Sequence, residues 1–332
     1  MVARLSTPKA LVAIVASASL LLVSCSEGAA PTDNASSSSD SVNTIEVEDN
    51  NGTQTVPSPP TSAASLDNRT FEVLEQWGVD LVAAPIDLMP NTIGYSENSE
   101  ILNIGNHREP DLELLTAAEP DLIINGQRFT SHAEAIAKLN PDTPIVDFEP
   151  RDGEPFDEEL IRQVEELGKI FGKEAEADSL VQDFTDAVER AKAAYDPEKK
   201  VMAINVSGGN IGYVAPTVGR TYGPIFDLIG LTPALEVPEG SSNHEGDDIS
   251  VEAIAQSNPD WLLVLDRDAG TSTAEGSKPA KAVVEESQAL QNVTAINEGH
   301  VVYAPNDTYT NESIITYTEI LNDIADAFEA AK

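Results

Sequence analysis

Short apolar runs alternate with amphipathic stretches along most of the chain. Leu81–Ala84, Leu122–Asn125, Ile145–Phe148, Val201–Val206, Trp261–Leu265 and Val301–Tyr303 are brief and mostly apolar. Such runs suit strands covered on both faces. Helical patterns lie between them, and this alternation predicts an α/β fold. Lys173 to Tyr195 contains no Gly or Pro, and Ala177, Leu180, Val181, Phe184, Val188 and Ala191 recur at helical spacing. One long helix is expected there, stopped at Asp196-Pro197 because proline cannot continue it.

One pattern occurs twice. Asp111 to Arg128 and Ser250 to Arg267 each read as an amphipathic helix, a Pro-Asp turn and an apolar strand ending near an arginine. Glu113 and Glu252, Pro120 and Pro259, and Arg128 and Arg267 all match at one constant offset. A weaker echo links Leu74–Gly78 with Phe226–Gly230. The body is therefore expected to be two Rossmann-like lobes, residues 66–172 and 196–332, joined by a single long helix over residues 173–195. Open α/β sheets bind ligands beyond the carboxyl ends of their strands. Facing lobes would aim Arg128 and Arg267 into one cleft.

The beginning of the chain follows a different rule. Arg4 and Lys9 precede an apolar run from Ala10 to Val23, which ends at Ser24-Cys25. This is the layout of an export signal, with an apolar core too short to span a bilayer. Residues 1–24 are read as a lipoprotein signal peptide and Cys25 as the acylated residue, a palmitate-type anchor on the extracytoplasmic face of the cell membrane. Residues 25–65 are expected to be the lipidated Cys and a flexible tether, Ser-rich and then Pro-rich at Val56–Ser62. Within it, Thr44 to Val56 reads as a small hairpin turning at Asp49-Asn50-Asn51-Gly52, either joining the sheet or standing free. The Ser-rich tether leans towards a Gram-positive surface. Cys25 is the only cysteine, which excludes an intrachain disulfide and a Cys-based metal site.

Charge narrows the partners. Nineteen basic residues face 57 acidic ones, for a net charge of −38, which argues against nucleic acid and anionic lipid. Enzyme signatures are missing. The four histidines form no His-Glu-x-x-His motif, and Ser207-Gly208-Gly209-Asn210 matches no phosphate-cradling glycine pattern. No enzyme is expected, and no intrinsic cofactor.

In so acidic a chain the few arginines carry information. Arg128, Arg220 and Arg267 fall at strand ends or in loops. A guanidinium suits an anionic or catecholate oxygen, although each alone is equally compatible with a surface ion pair. His244 lies in the polar loop Ser241–Asp248, and Tyr309 in the polar loop Asn306–Glu312. Imidazole and phenolate could fill two positions on a ferric ion; an ordinary loop His and a half-buried Tyr are the commoner alternative.

A lipoprotein signal, two α/β lobes and one connecting helix resemble the periplasmic-binding-protein-like substrate-binding proteins of ABC importers. They look like the class with a rigid helical backbone, which handles ferric siderophores, haem and cobalamin. The C-terminal half is most similar to catecholate-siderophore binders, through Tyr222–Asp227, Asp248-Ile249-Ser250, Asn258–Arg267 and Gly299–Tyr303. This resemblance covers roughly residues 66 to 332 and implies capture of a ferric catecholate-type siderophore in the cleft, with delivery to an ABC permease dimer. A monomer is expected. Binders of haem, cobalamin or another siderophore share the fold, and a surface interaction protein without transport is the rival of a different class.

The resemblance also assigns roles. Arg128, Arg220 and Arg267 would bind ligand oxygen, with Tyr222 flanking the ligand. His244 and Tyr309 would complete the shell of an Fe(III) that a tetradentate siderophore leaves open. Glu113 and Glu252, one per lobe, would dock on the permease. The chain departs from the family pattern twice. Arg128 falls one place later than the family's Gly-Arg, and Arg220 one place earlier than its Ser-Arg-Phe-Gly, so Gln127 and Thr221 occupy the expected arginine places. Gln127 is therefore a further candidate ligand contact.

Overall fold

A computed structural model describes residues 43–271 and 276–332. The expected signal peptide, Cys25 and the first part of the expected tether lie outside the described residues.

The described residues open with strands β1 (Thr44–Asp49) and β2 (Gly52–Pro57), an antiparallel hairpin turning at Asn50-Asn51. The N-terminal lobe then runs β3 (Ala63–Ser65), α1 (Phe71–Gln76), β4 (Leu81–Ala84), β5 (Leu102–Asn103), α2 (Leu112–Ala117), β6 (Leu122–Asn125), α3 (Ala133–Leu139) and β7 (Ile145–Asp147). Helices α4 (Phe156–Phe171) and α5 (Glu174–Ala194) follow. The C-terminal lobe consists of β8 (Lys200–Ser207), β9 (Asn210–Val214), α6 (Gly223–Ile229), β10 (Thr232–Pro233), α7 (Val251–Ser257), β11 (Trp261–Asp266), α8 (Ala280–Glu286), α9 (Thr294–Glu298) and β12 (Val301–Tyr303). Two helices, α10 (Thr308–Asn311) and α11 (Ile314–Ala330), end the chain.

Each lobe holds one sheet. The first is wholly parallel, in the order β5-β4-β3-β6-β7. The second runs β10-β8-β11-β12, also parallel, with β9 antiparallel on β8. The orders correspond strand for strand: β4-β3-β6-β7 matches β10-β8-β11-β12. Among these four corresponding strands the first lies between the second and third in both lobes, so the strand order reverses there, which is where α/β sheets bind ligands. Gly78 and Gly230, the weak echo in the sequence, both end a helix in the left-handed conformation (φ 69° and 79°), which glycine adopts without steric cost.

The buried strands match the apolar runs because both faces of each sheet are covered. Trp261 to Leu265 is wholly buried, as are Leu122 to Asn125. Helix α5 buries Ala177, Leu180, Phe184, Val188 and Ala191, the residues whose spacing predicts it, and α11 packs along it.

The expected hairpin forms, its placement, left open by the sequence, is decided, and the tether boundary requires a correction. Thr44–Pro57 does not float: Val47 and Val56 are buried, and the turn clasps β7. Asn50 N donates to Asp147 O (2.9 Å), Asp147 N to Asp49 Oδ2 (3.0 Å) and Asn50 Nδ2 to Glu149 O (2.9 Å). Ala63–Ser65, expected to be the end of the tether, is the central strand of the first sheet. Three small residues behind a Pro-Ser segment give no hydrophobic signal. They form a strand because both neighbours supply hydrogen bonds.

Candidate functional site

The turns after the central strands carry the site. Strand β6 ends at Asn125, and Gly126 turns the chain towards Gln127, which is left-handed (φ 47°). A Cβ at Gly126 would lie 2.6 Å from Oδ2 of the buried Asp67, so the close approach of this turn to the loop that follows β3 requires glycine. Arg128 follows. In the other lobe, Arg267 directly follows β11, and its N–H continues the ladder to Val206 O (3.0 Å). Arg220 lies on a tightly coiled loop before α6, where Gly219 N donates to Ala215 O and Gly223 N to Gly219 O (both 2.8 Å).

These three turns converge on Tyr309. The guanidinium carbons of Arg220, Arg267 and Arg128 lie 4.5, 4.9 and 5.4 Å from the centre of its ring, within cation–π range. The Tyr309 carbonyl accepts from Arg128 (3.0 Å) and Arg220 (3.4 Å). One residue thus anchors arginines from both lobes.

Behind the arginines lies Glu312, which is buried. Its Oε1 accepts from Arg220 Nε (3.1 Å) and Thr221 Oγ1 (2.8 Å). Its Oε2 accepts from Arg220 (2.5 Å) and Gln127 Nε2 (2.8 Å). Burial alone would raise its pKa. The charges of Arg220, Arg69 and Arg128, with the Arg220 hydrogen bond, outweigh burial and bring it to about 2. Gln127, Thr221 and Glu312 all have left-handed backbones (φ 47°, 66° and 55°), which is costly for a β-branched Thr. Their shared hydrogen bonds offset that strain.

The arginines and Tyr309 line an inter-lobe cavity of about 720 Å³. The N-terminal lobe contributes residues 87–92 and Asn106-His107-Arg108 as well as Arg128. The C-terminal lobe contributes His244 and residues 269–271 along with Arg220 and Arg267. His244 is largely exposed, with Nε2 3.9 Å from Glu245 Oε1. Its loop is fixed to the sheet, because Asn205 Nδ2 donates to His244 O (2.9 Å) and Asp247 pairs with Tyr213. Arg267 Nε and His107 Nδ1 are buried and have no hydrogen-bond partner among the described residues. Burial, followed by the charges of Arg128 and Arg108, lowers the pKa of His107, so its imidazole is neutral near pH 7. The wall therefore offers guanidinium donors, a phenol and neutral imidazole to a ligand the size of a small metal chelate.

The model of the periplasmic binding protein family matches residues 64–308, spanning both sheets and every arginine of the cavity. The chain belongs to this family. Its curated relatives include the petrobactin-binding protein YclQ of Bacillus subtilis, 28% identical over 85% of this chain and 86% of that protein. The ferric-anguibactin-binding protein FatB of Vibrio anguillarum is also 28% identical, covering 86% of this chain and 88% of that protein. The crystal structure of YclQ superposes with a TM-score of 0.74 at 25% identity, over 86% of this chain and 99% of that one. The periplasmic binding protein fold of two α/β lobes is therefore shared along nearly the whole described body, and the relatives named are binding proteins.

In this periplasmic binding protein, Arg128, Arg220, Arg267, His244 and Tyr309 all border one cavity. Two candidates do not. Tyr222 is fully buried, with its hydroxyl 3.4 Å from Val264 O. It packs within the C-terminal lobe because the turn into α6 points it inward, so it cannot flank a ligand in the cavity. Gln127 stands behind the wall, linking Arg128 (2.5 Å to Oε1) and Glu312. The two departures from the family pattern share one explanation: Gln127 and Thr221, in the expected arginine places, both bind Glu312, while their neighbours Arg128 and Arg220 reach Tyr309. Glu113 and Glu252 are exposed in the first turns of α2 and α7, matched helices capped by Asp111 and Ser250.

Sequence reasoning missed Glu312, His107 and Arg108. Arg108 could have been found, since arginine scarcity drew attention to the other three. Glu312 could not, because one carboxylate among 57 acidic residues carries no mark of burial.

Proposed function

We propose that this protein is the substrate-binding component of an ABC importer and captures a ferric catecholate-type siderophore in the inter-lobe cavity. The observation that carries this reading is the convergence of Arg128, Arg220 and Arg267 on Tyr309 in a cavity of about 720 Å³. Forked cationic donors suit the paired, negatively charged oxygens of a metal-bound catecholate. The petrobactin and anguibactin binders named above support the class. Fe(III) enters as cargo bound to its chelator.

Direct iron ligation by His244 and Tyr309 is part of the proposal. A tetradentate siderophore leaves two positions on iron open, and a hexadentate one leaves none. In calorimetric titration with ferric tetradentate and hexadentate catecholates, wild-type protein is expected to bind with saturation. His244→Ala with Tyr309→Phe should weaken the tetradentate complex and spare the hexadentate one. Equal losses would rule out direct ligation, and no wild-type binding to either complex would rule out the catecholate reading. Tryptophan fluorescence is a poor reporter here, because Trp77 and Trp261 are both buried in the core.

Two membrane-side roles complete the proposal. Cys25 carries the lipid anchor, and Glu113 and Glu252 dock on a pseudo-symmetric permease. Ferric-siderophore uptake by cells, with fractionation, tests both. Cys25→Ala should release the protein from the membrane fraction. Glu113→Lys with Glu252→Lys should abolish uptake while the protein stays membrane-bound and still binds ligand. Normal uptake by the double variant would remove the docking assignment.

A further inference from the structure

The inner wall of the cavity holds more cationic side chains than net positive charge. Two buried carboxylates stand against its three guanidiniums. Glu312 holds Arg220 through both of its oxygens. Asp268, also buried, has Oδ1 3.7 Å from the Arg267 guanidinium and accepts Gly208 N at Oδ2 (2.7 Å). Neither carboxylate lines the cavity, so neither is placed to touch a ligand. The outer wall does not restore the balance, because Arg108 is accompanied there by Asp87 and Asp307.

Arg69, whose charge also reaches Glu312, stands behind the wall and is matched there by Glu149 at 3.8 Å, so counting the three wall guanidiniums against Glu312 and Asp268 leaves the inner wall with a single net positive charge. Iron(III) bound by two catecholates is a monoanion, and bound by three it is a trianion. A buried anion must be matched by local positive charge, because its desolvation is otherwise uncompensated. Resting on the siderophore reading above, we propose that Glu312 is a specificity-determining residue. With Asp268 as its counterpart on Arg267, it holds the wall to low net charge and so selects ferric chelates of low negative charge over trianions. Glu312 acts through Arg220 and is a positioning residue; the selectivity resides in the charge it subtracts.

The test compares the iron(III) complexes of a synthetic linear bis-catecholamide and a tripodal tris-catecholamide, titrated into the purified protein. Glu312→Gln removes the charge and keeps a polar group of the same shape. It should raise the ratio of tris to bis affinity roughly tenfold, the scale of two further ligand charges interacting across a partly screened cavity. Asp268→Asn should move the ratio in the same direction, and Glu312→Asp should leave it near the wild-type value. Comparing ratios between variants cancels the difference in size between the complexes. A parallel loss for both complexes, or an unchanged ratio, would overturn the proposal and leave Glu312 a structural residue only. Should Glu312→Gln fail to fold, Asp268→Asn carries the test. Wild-type protein that binds neither complex would refute the siderophore reading itself; wild-type binding with an unchanged ratio would refute only the charge selection.

Discussion

Replacing Glu312 by alanine is expected to lower the unfolding free energy by about 3–5 kcal/mol, the scale for removing one partner of a buried ion pair. The loss arises because Arg220 remains largely buried after its bidentate partner is gone, and because Thr221 and Gln127 lose the acceptor that holds their left-handed backbones. Urea unfolding followed by circular dichroism measures it. The pH dependence has a definite sign. Glu312 has a folded pKa of about 2 against 4.5 for the free group, so its stabilisation is fully present above the unfolded value. That contribution, about 3 kcal/mol by linkage, is lost as pH falls through the folded value. Asp67, Asp147 and Glu149 act in the opposite sense: burial raises the pKa of each, and their protonation relieves a cost. The stability gap between wild type and Glu312→Ala should therefore narrow as pH falls from about 4.5 towards 2. A gap that stays constant across that range would mean that the fold does not hold the Glu312 carboxyl below its ordinary pKa.

Arg267→Ala is expected to weaken ferric-catecholate binding by at least ~1.5 kcal/mol, or roughly tenfold, the low end for a hydrogen bond to a charged group. Of the three arginines it is the cleanest probe. Its guanidinium bonds Ser207 Oγ (3.0 Å), lies 3.7 Å from Asp268 and keeps Nε unpartnered among the described residues. Asp268 keeps the Gly208 N–H when the guanidinium is removed, so less folding energy depends on Arg267 than on Arg220. Arg220→Ala, by contrast, would strand a buried Glu312 and confuse binding with stability. Calorimetry paired with a thermal melt separates the two effects. Unchanged affinity for Arg267→Ala would count against the arginine wall as the ligand site.

Several features were legible in the sequence because local chemistry dictates them. Strands covered on both faces must be apolar throughout, so β4, β6, β8, β11 and β12 could be read directly. A helix of 21 residues declares itself through its spacing. The doubled helix, Pro-Asp turn and strand predicted two lobes of like construction, and the strand orders of the two sheets agree. Arg128 and Arg267 stood at strand ends in matched positions, which sufficed to place them in one cleft.

The tertiary structure alone decided the rest. Ala63–Ser65 is a strand only because β4 and β6 flank it. Tyr222 and Tyr309 are both tyrosines next to turns, yet one is core and the other sits under three guanidiniums, a difference set by the direction of each turn. Glu312 is the clearest case. Its role depends on Arg220, Thr221 and Gln127 meeting it from positions 91 to 185 residues away. Sequence encodes the apolar period of each element because burial of that element demands it. Which charges share one desolvated space is settled only when the lobes fold against each other and low polarity makes their pairing compulsory.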